Sequence, residues 1–171
     1  MIGSVIRAAA KELLYFPTWT AGRKGYAQRI RLVFGQYLEK QGLRLTAQRQ
    51  KILDLLLAAE RHLSQEEIRQ ALRKDGVGRV TVFRMLKLLE ACRLVEGVNT
   101  PSGLRYEVKS DRPHHDHLIC VQCGHIVEIQ WPEVERVQDK TCRKLGFSPL
   151  WHRHEIFGTC ADCQRNPPVL R

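Results

Sequence analysis

The segment "RVTVFRMLKLLEACRL", residues 79–94, predicts a helix with two chemically different faces. Val82, Leu86 and Leu89 recur at three- and four-residue spacing, which is typical of a helix that buries one side in a core. The other faces carry hydroxyl, aromatic and cationic side chains, namely Arg79, Thr81, Phe83, Arg84 and Lys87. The segment therefore predicts a helix that packs inward while it presents positive charge outward.

A shorter helix is predicted immediately before this segment. Ser64 and Glu67 have the spacing of a capping box, in which each side chain accepts a hydrogen bond from the backbone N–H of the other residue. Gly76 and Gly78 then provide a tight connection into residue 79. Two amphipathic helices joined by a short turn, the second of which exposes cations, form the pattern of a helix-turn-helix.

The flanking residues extend this pattern to a winged helix. From Arg29 the spacing of apolar residues predicts a helix that ends at Gly42, and Thr46 is a candidate N-cap for the next helix. The segments "RLVEGV" and "LRYEV" flank the turn-rich residues 99–103 and predict a hairpin, which would be the wing. A three-helix bundle without a nucleic-acid role would explain the apolar spacing equally well.

Positive charge is confined to the N-terminal part of the chain. Residues 1–109 hold 20 Lys and Arg against 10 Asp and Glu, whereas residues 110–171 hold 8 of each. This asymmetry favours a DNA-binding module followed by a neutral one, although a solvated basic surface is the alternative. We expect an extension over residues 1–28, either disordered or helical, a winged-helix domain over 29–109 and a second domain over 110–171.

The composition is that of a soluble globular protein, and we expect it to be cytoplasmic. Of the 171 residues, 43% are hydrophobic and 27% are charged, which is typical of a globular chain. No apolar run approaches the roughly 20 residues that a transmembrane helix needs, so we expect no membrane partner. In a reducing compartment, cysteines indicate metal binding rather than disulfides.

Four of the six cysteines form two CxxC pairs, Cys120 with Cys123 and Cys160 with Cys163. Four thiolates suit a tetrahedral zinc site with a structural role, because no coordination position is left for a substrate. A redox CxxC is the alternative, but neither pair lies in the strand–helix context of a thioredoxin. The other two cysteines are expected to be small apolar residues.

The segment "HHDHLICVQCGHIVEIQ", residues 114–130, adds imidazoles and carboxylates to the first CxxC pair. If it is extended, His114 and Asp116 face one way, and His115 and His117 face the other. The end of the segment is also strand-like and carries Glu128.

Two further segments complete a small sheet with one helix. "VERVQDKTCRKLGF" predicts a helix with Glu135 near its start. "LWHRHEIFG" predicts a strand on which His152 and His154 alternate with Trp151 and Arg153. Each His or Glu alone would be an ordinary surface residue, and it is their clustering that favours metal binding.

Five segments, in this order and at these distances, resemble the ferric uptake regulator family of metal-dependent bacterial repressors. They are "RLTAQRQKIL" (44–53), "HLSQEEI" (62–68), "VTVFRMLKLLEACRLV" (80–95), "HHDHLICVQCGHIVE" (114–128) and "GTCADC" (158–163). The resemblance covers roughly residues 29–165. It implies an α+β homodimer, with an N-terminal winged helix-turn-helix domain and a small α/β dimerisation domain that holds a four-cysteine zinc site. It also implies a double-stranded DNA operator as partner, no small organic substrate and no enzymatic activity.

The resemblance also assigns residues to sites. The structural zinc site matches Cys120, Cys123, Cys160 and Cys163. The regulatory metal site matches His62, Glu107, His117 and Glu128. A second metal site matches His114, Asp116, Glu135 and His152, and His115 is assigned to neither. The candidate DNA-binding residues are Arg44, Arg49, Thr81, Phe83 and Arg84. Phe83 stands where most members have a tyrosine that contacts thymine.

The ligand types indicate which metal regulates the chain. Imidazole and carboxylate without sulfur suit Fe²⁺ or Mn²⁺, whereas zinc sensing is often associated with a thiolate. We expect iron, with manganese or zinc as alternatives. Peroxide sensing ranks last, because that branch tends to have aspartate where Glu128 stands. From another class, a zinc hydrolase is an alternative, but HExxH and GxSxG motifs are absent and an enzyme would not need the basic module. A zinc-storage or scaffold protein is a further alternative, which predicts no metal-dependent DNA affinity.

Overall fold

The structure, a computed structural model, describes residues 23–109 and 114–167. The described residues form two compact units. The first contains residues 23–99 and 103–109, and the second contains residues 100–102 and 114–167. Within these ranges no helix is both long enough and apolar enough to cross a membrane.

The first unit combines helices with a small sheet. Its elements are α1 (Arg23–Lys40), α2 (Ala47–Ala58), β1 (Leu63–Ser64), α3 (Gln65–Ala71), a 3₁₀ turn (Arg73–Asp75), α4 (Arg79–Ala91), β2 (Val95–Thr100) and β3 (Gly103–Val108). The strand order is β1-β3-β2, and β1 pairs antiparallel with β3 so that Leu63 lies opposite Tyr106. The second strand of the wing, β3, therefore pairs with β1, the short strand that precedes α3.

The core of the first unit is built from the apolar faces of its helices. Phe34, Ile52, Ile68 and Leu86, which come from α1, α2, α3 and α4, are completely buried. Burial of such a side chain contributes about 1.5–3 kcal/mol to stability. These helices therefore hold one another through a shared core.

Helix α1 begins at Arg23, earlier than the Arg29 at which the sequence pattern becomes helical. The cause is Tyr26, which is buried one turn before Ile30 and adds a further contact to the core. Residues 1–22 of the expected extension lie outside the described residues.

The local signals of the helix-turn-helix act as predicted. The Thr46 side chain accepts a hydrogen bond from the Arg49 N–H, and Ser64 and Glu67 form a complete capping box. Gly76 follows the 3₁₀ turn in the left-handed region, with φ 72°, which glycine adopts without strain. Helix α4 then begins, and the hairpin β2–β3 follows it. The predicted winged helix-turn-helix is confirmed.

The second unit is a three-stranded sheet with two helices. Its elements are β4 (Asp116–Cys120), β5 (Ile126–Ile129), α5 (Pro132–Lys144), β6 (Glu155–Gly158) and α6 (Ala161–Arg165). The strand order is β5-β4-β6, with β4 antiparallel to β5 and parallel to β6. The central strand β4 is mostly buried and carries Asp116, His117 and Cys120.

The strand predicted over residues 150–158 forms only in its second half. β6 begins at Glu155, which pairs with His117 near the start of β4. In this register Asp116, the first residue of β4, lies opposite His154, so residues before His154 have no β4 residue beside them, and His152 and His154 precede the strand instead of alternating along it. The His117 N–H nevertheless donates to the His154 carbonyl oxygen at 3.2 Å, which holds this segment beside β4.

Candidate metal centres and basic helix

The four cysteines of the two CxxC pairs converge. Their four sulfur atoms all lie within 4.8 Å of one another, and the sulfurs of Cys123 and Cys160 are 3.7 Å apart. Cys120 ends β4, Cys123 lies in the following turn, and Cys160 and Cys163 lie at the start of α6. Gly124 makes the turn possible with φ 73°. The turn and the helix start therefore present two sulfurs each to one point.

The thiols of this cluster are held by backbone donors. The Cys160 N–H donates to the Cys120 sulfur at 3.3 Å. This contact, with a second from the Cys123 N–H, lowers the pKa of the Cys120 thiol to about 6. The hydrogen bond with the Cys160 thiol has the opposite effect on Cys163 and raises its pKa to about 12. Thiolate is the form that binds metal, and four such donors fit a tetrahedral zinc ion.

In the first unit, the structure brings His62 and Glu107 together. The His62 side chain is 7% exposed, and its Nε2 lies 3.4 Å from Glu107 Oε1. Their proximity follows from the pairing of β1 with β3, which places Leu63 beside Tyr106. The Arg105 guanidinium donates to the His62 carbonyl oxygen at 3.2 Å and to Glu67 Oε2 at 3.2 Å. His62 is thus anchored by its backbone, and its imidazole faces a carboxylate.

In the second unit, His117 and Glu128 face each other across β4 and β5. His117 is 5% exposed. His115, which the sequence analysis did not assign, lies beside both, with its Nε2 4.0 Å from Glu128 Oε2 and its ring centroid 5.2 Å from that of His117. The alternation along "HHDH" was the signal for this grouping. The position of Glu128 opposite His117 could not be predicted from this alternation, because it depends on the register of β4 and β5.

The second predicted set lies entirely within the second unit. His114 Nε2 is 3.0 Å from Asp116 Oδ1 and 3.7 Å from Glu135 Oε1, and His152 Nε2 is 2.9 Å from the same Glu135 oxygen. The structure therefore brings all four residues together. His154, which the family resemblance assigns to no site, lies beside this set, with its Nδ1 3.5 Å from Asp116 Oδ2.

Two buried atoms of this set have no hydrogen-bond partner in the described part of the chain, Asp116 Oδ2 and His152 Nε2. Buried polar atoms are rarely left unpaired because desolvation is then uncompensated. Imidazole and carboxylate are both suitable ligands for divalent transition metals. Unpaired donor atoms that converge on one another fit a metal ion.

The outer face of α4 carries aromatic and cationic side chains. Phe83 is 48% exposed, and Arg79 and Arg84 are exposed beside it. Lys87 lies 6.0 Å from the centre of the Phe83 ring and is paired with Glu90 at 2.8 Å. Within residues 23–109 no carboxylate pairs with Arg84. The face combines free positive charge with an apolar ring.

The other candidate DNA-binding residues lie at the starts of helices. Arg44 is exposed before α2, and Arg49 donates through Nη1 to the Arg44 carbonyl oxygen at 2.5 Å. Thr81 is half-buried in the first turn of α4. The N-cap of α4, Gly78, makes no side-chain capping bond. A helix start with free N–H groups is suited to an anion such as a phosphate.

The profile of the Ferric uptake regulator family matches residues 40–157. Two relatives are each called a Ferric uptake regulation protein. One from Campylobacter jejuni is 38% identical over 143 residues, which cover 81% of this chain and 90% of the relative. One from Neisseria meningitidis is 36% identical over 130 residues, which cover 74% of this chain and 90% of the relative.

Solved structures of similar proteins share the fold. The Helicobacter pylori ferric uptake regulator, described as having three functional metal binding sites, is 31% identical, with a TM-score of 0.71 over 84% of this chain and 95% of that one. The Pseudomonas aeruginosa ferric uptake regulator with manganese is 34% identical, with a TM-score of 0.63 over 72% and 95%. The Francisella tularensis protein with iron is 28% identical, with a TM-score of 0.62 over 72% and 96%.

Proposed function

This chain belongs to the ferric uptake regulator family, and we propose that it is a cytoplasmic, metal-responsive repressor that binds operator DNA as a homodimer to control iron homeostasis. It is a transcription regulator and not an enzyme. The observation that supports the proposal most is the combination of a winged helix, whose recognition helix α4 exposes Phe83 and Arg84, with clustered metal ligands in the same chain. A hydrolase or a storage protein would need no such helix.

The four-cysteine cluster is proposed to hold structural zinc. Zinc with four protein ligands has no open position, so its role would be to join the end of β4 to α6. The sulfur distances and the backbone donors around Cys120 support this assignment. In this unit few apolar residues are buried, and the zinc would supply stability that its small core lacks.

The regulatory metal is proposed to bind His62, Glu107, His117 and Glu128, with His115 as a neighbouring ligand candidate. The short distance from His62 to Glu107 supports one half of this set, and the pairing of His117 with Glu128 supports the other. The donors are imidazoles and carboxylates without sulfur, which favours Fe²⁺. Mn²⁺ and Zn²⁺ can use the same donors, and related proteins have been solved with iron and with manganese. The second site is proposed to be His114, Asp116, Glu135 and His152.

A second copy of the chain is the proposed partner of the second unit. Large apolar side chains are exposed on and after α5 and along β6, namely Val137, Leu145, Phe147, Leu150, Trp151, Ile156 and Phe157. Soluble monomers rarely expose so many apolar side chains of one domain. β6 is also an edge strand of its sheet, and an unpaired edge can extend a sheet across two copies. Both features support a homodimer.

The proposed DNA contacts follow from exposure and charge. Arg84 would bind a phosphate, Arg44 would reach the minor groove, and Arg49 and Thr81 would support them at the helix starts. Phe83 would keep apolar contact with a thymine methyl, but it lacks the hydroxyl of tyrosine. We therefore expect recognition of the thymine methyl without an added hydrogen bond at that base.

Operator affinity at buffered free metal tests the proposal. Fluorescence anisotropy with a labelled duplex, selected from random DNA in the presence of metal, would be measured with Fe²⁺, Mn²⁺ and Zn²⁺. We expect metal to increase operator affinity by about 5- to 150-fold, which is the typical range of coupling between two binding sites. Fe²⁺ should produce this increase at free concentrations close to that of its cellular pool. Affinity that does not change with any of the metals would contradict the proposal and favour storage or scaffolding.

A further inference from the structure

His154 lies beside the second metal site but belongs to none of the assigned sets. Its Nδ1 is 3.5 Å from Asp116 Oδ2, and its ring centroid is 5.3 Å from that of His152. One ligand atom from each of Asp116, His152 and His154 lies within 4.8 Å of the other two. The cluster therefore continues beyond the four residues of the second site.

Asp116 connects His154 to the rest of this cluster. The Asp116 side chain is only 2% exposed. Its Oδ1 contacts His114 Nε2 at 3.0 Å, whereas its Oδ2 has no hydrogen-bond partner among the described residues. A carboxylate oxygen buried in this way requires a positive or hydrogen-bonding group. His154 Nδ1 lies 3.5 Å from this oxygen and is a candidate.

The spacing of the donor atoms resembles that of ligands around one ion. Two ligands bound at about 2.0–2.2 Å lie about 3 Å apart at a right angle and about 3.4 Å apart at a tetrahedral angle. His152 Nε2 and Glu135 Oε1 are 2.9 Å apart, yet His152 Nε2 has no hydrogen-bond partner. His154 Nδ1 and Asp116 Oδ2 are 3.5 Å apart and form no hydrogen bond. Donor atoms that lie this close without forming a hydrogen bond can share a common metal.

We propose that His154 is a fifth protein ligand of the second metal site and binds the metal through Nδ1. This inference rests on the proposed function, which places a metal among His114, Asp116, Glu135 and His152. With His154 the shell would contain three imidazoles and two carboxylates. Such a shell fits a five-coordinate divalent transition ion of the Zn²⁺, Co²⁺ or Fe²⁺ type and leaves little room for exchangeable water.

Gln138 is placed to support this ligand. Its side-chain amide lies 3.5 Å from His154 Nε2, on the far side of the ring from Asp116. A histidine that binds metal through one nitrogen usually donates its other N–H to an acceptor. Rotation of the amide by half a turn would present its oxygen to the His154 Nε2–H, since the two ends of an amide occupy the same positions. Gln138 would then orient the ring without binding the metal.

Cobalt binding in a His62→Ala background tests the proposal. That background removes one ligand of the proposed regulatory set, so that cobalt beyond the four-cysteine zinc reports on the second site. Cobalt affinity is measured by competition with a chromophoric chelator, and the visible absorption of bound cobalt reports its coordination. His154→Asn keeps an N–H donor for Asp116, but asparagine is a poor metal ligand. His152→Ala removes a ligand already assigned to the second site. The control, His125→Asn, removes an exposed imidazole that belongs to no ligand cluster of the described residues.

We expect His154→Asn to weaken cobalt binding by more than the roughly 10- to 100-fold that loss of an outer-shell partner costs, and to change the visible spectrum. His125→Asn should change neither. Native affinity and an unchanged spectrum in His154→Asn, while His152→Ala abolishes binding, would overturn the role of His154 and leave the second site intact. If His152→Ala also binds cobalt normally, the second site itself is wrong. Each variant is shown to be folded when its zinc content and its thermal unfolding, measured without metal in the second site, equal those of the wild-type chain.

Discussion

Glu67 joins the cap of α3 to the segment that holds His62. It accepts hydrogen bonds from the Ser64 N–H at 2.7 Å, from Arg61 at 2.7 Å and from Arg105 at 3.2 Å. Burial alone would raise its pKa, but the Ser64 N–H and the Arg61 guanidinium outweigh it and lower the pKa to about 2. The ionised form is therefore favoured by folding.

The pH dependence of stability should reveal this carboxylate. Because the folded pKa lies below the ordinary value of 4.5, Glu67 stabilises the fold fully above that value, and this contribution is lost as the pH falls toward 2. Glu67→Gln should make the unfolding free energy less dependent on pH in this window, as measured by urea unfolding. Glu39→Gln, at an exposed position of α1 that forms no ion pair within residues 23–109, serves as the matched control. An equal pH dependence in wild type and Glu67→Gln would contradict the assignment.

Arg84 is the proposed DNA contact that links charge to affinity most directly. It is exposed on α4, and no described carboxylate neutralises it. Each phosphate contact contributes about 0.9 to the slope of log affinity against log salt concentration. Arg84→Ala should therefore weaken binding to all sequences alike and make the slope shallower by about that amount per contact, measured by anisotropy over a salt series. Lys40→Ala, exposed at the end of α1, should leave the slope unchanged, and an unchanged slope in Arg84→Ala would remove Arg84 from the interface.

At the scale of elements, the sequence predicts what depends on neighbours along the chain. The caps at Thr46 and Ser64 and the buried face of α4 follow from spacing of a few residues, and the structure shows all three. The start of β6 depends instead on where β4 begins, so the strand predicted over residues 150–158 forms only from Glu155. The contact of His154 with Asp116 has the same origin, because it forms between segments that only tertiary structure brings together.

The four-cysteine cluster ties three elements of the second unit, the end of β4, the following turn and the start of α6. Zinc binding at such sites contributes about 10–16 kcal/mol, which is comparable to the stability of a whole small domain. Cys120→Ser should therefore give an unfolded or monomeric second unit. The measurements are zinc content by mass spectrometry and mass in solution by light scattering.

Cys142→Ser provides the matched control for this prediction. Cys142 lies on α5, is partly buried and belongs to no metal-binding cluster of the described residues. This variant should keep its zinc and its oligomeric state. If Cys120→Ser also keeps one tightly held zinc and a normal dimer, the four-cysteine assignment is wrong.

At the scale of the whole molecule, the proposed regulatory set is the only assigned set whose ligands come from both units. His62 and Glu107 belong to the first unit, and His117 and Glu128 belong to the second. A metal bound to all four would fix the orientation of the winged helix relative to the second unit. In a dimer, this orientation sets the distance between the two α4 helices. Successive major-groove half-sites lie about 34 Å apart, so a modest change in orientation would prevent both helices from docking.

His62→Ala should uncouple metal from DNA binding. Metal promotes DNA binding only through its higher affinity for the docking-competent arrangement, which typically corresponds to about 1–3 kcal/mol. Without the His62 imidazole, most of this coupling free energy should be lost, so Fe²⁺ or Mn²⁺ should stimulate operator binding far less. The four-cysteine zinc and the dimer should survive, because neither involves His62, and anisotropy, metal analysis and light scattering on one preparation measure all three. His152→Ala is the matched comparison, since it alters only the second site. If His62→Ala keeps the full metal response and His152→Ala loses it, the switch lies in the set of His114, Asp116, Glu135 and His152. A metal bound there would contact the second unit alone and would act on DNA binding by changing the dimer.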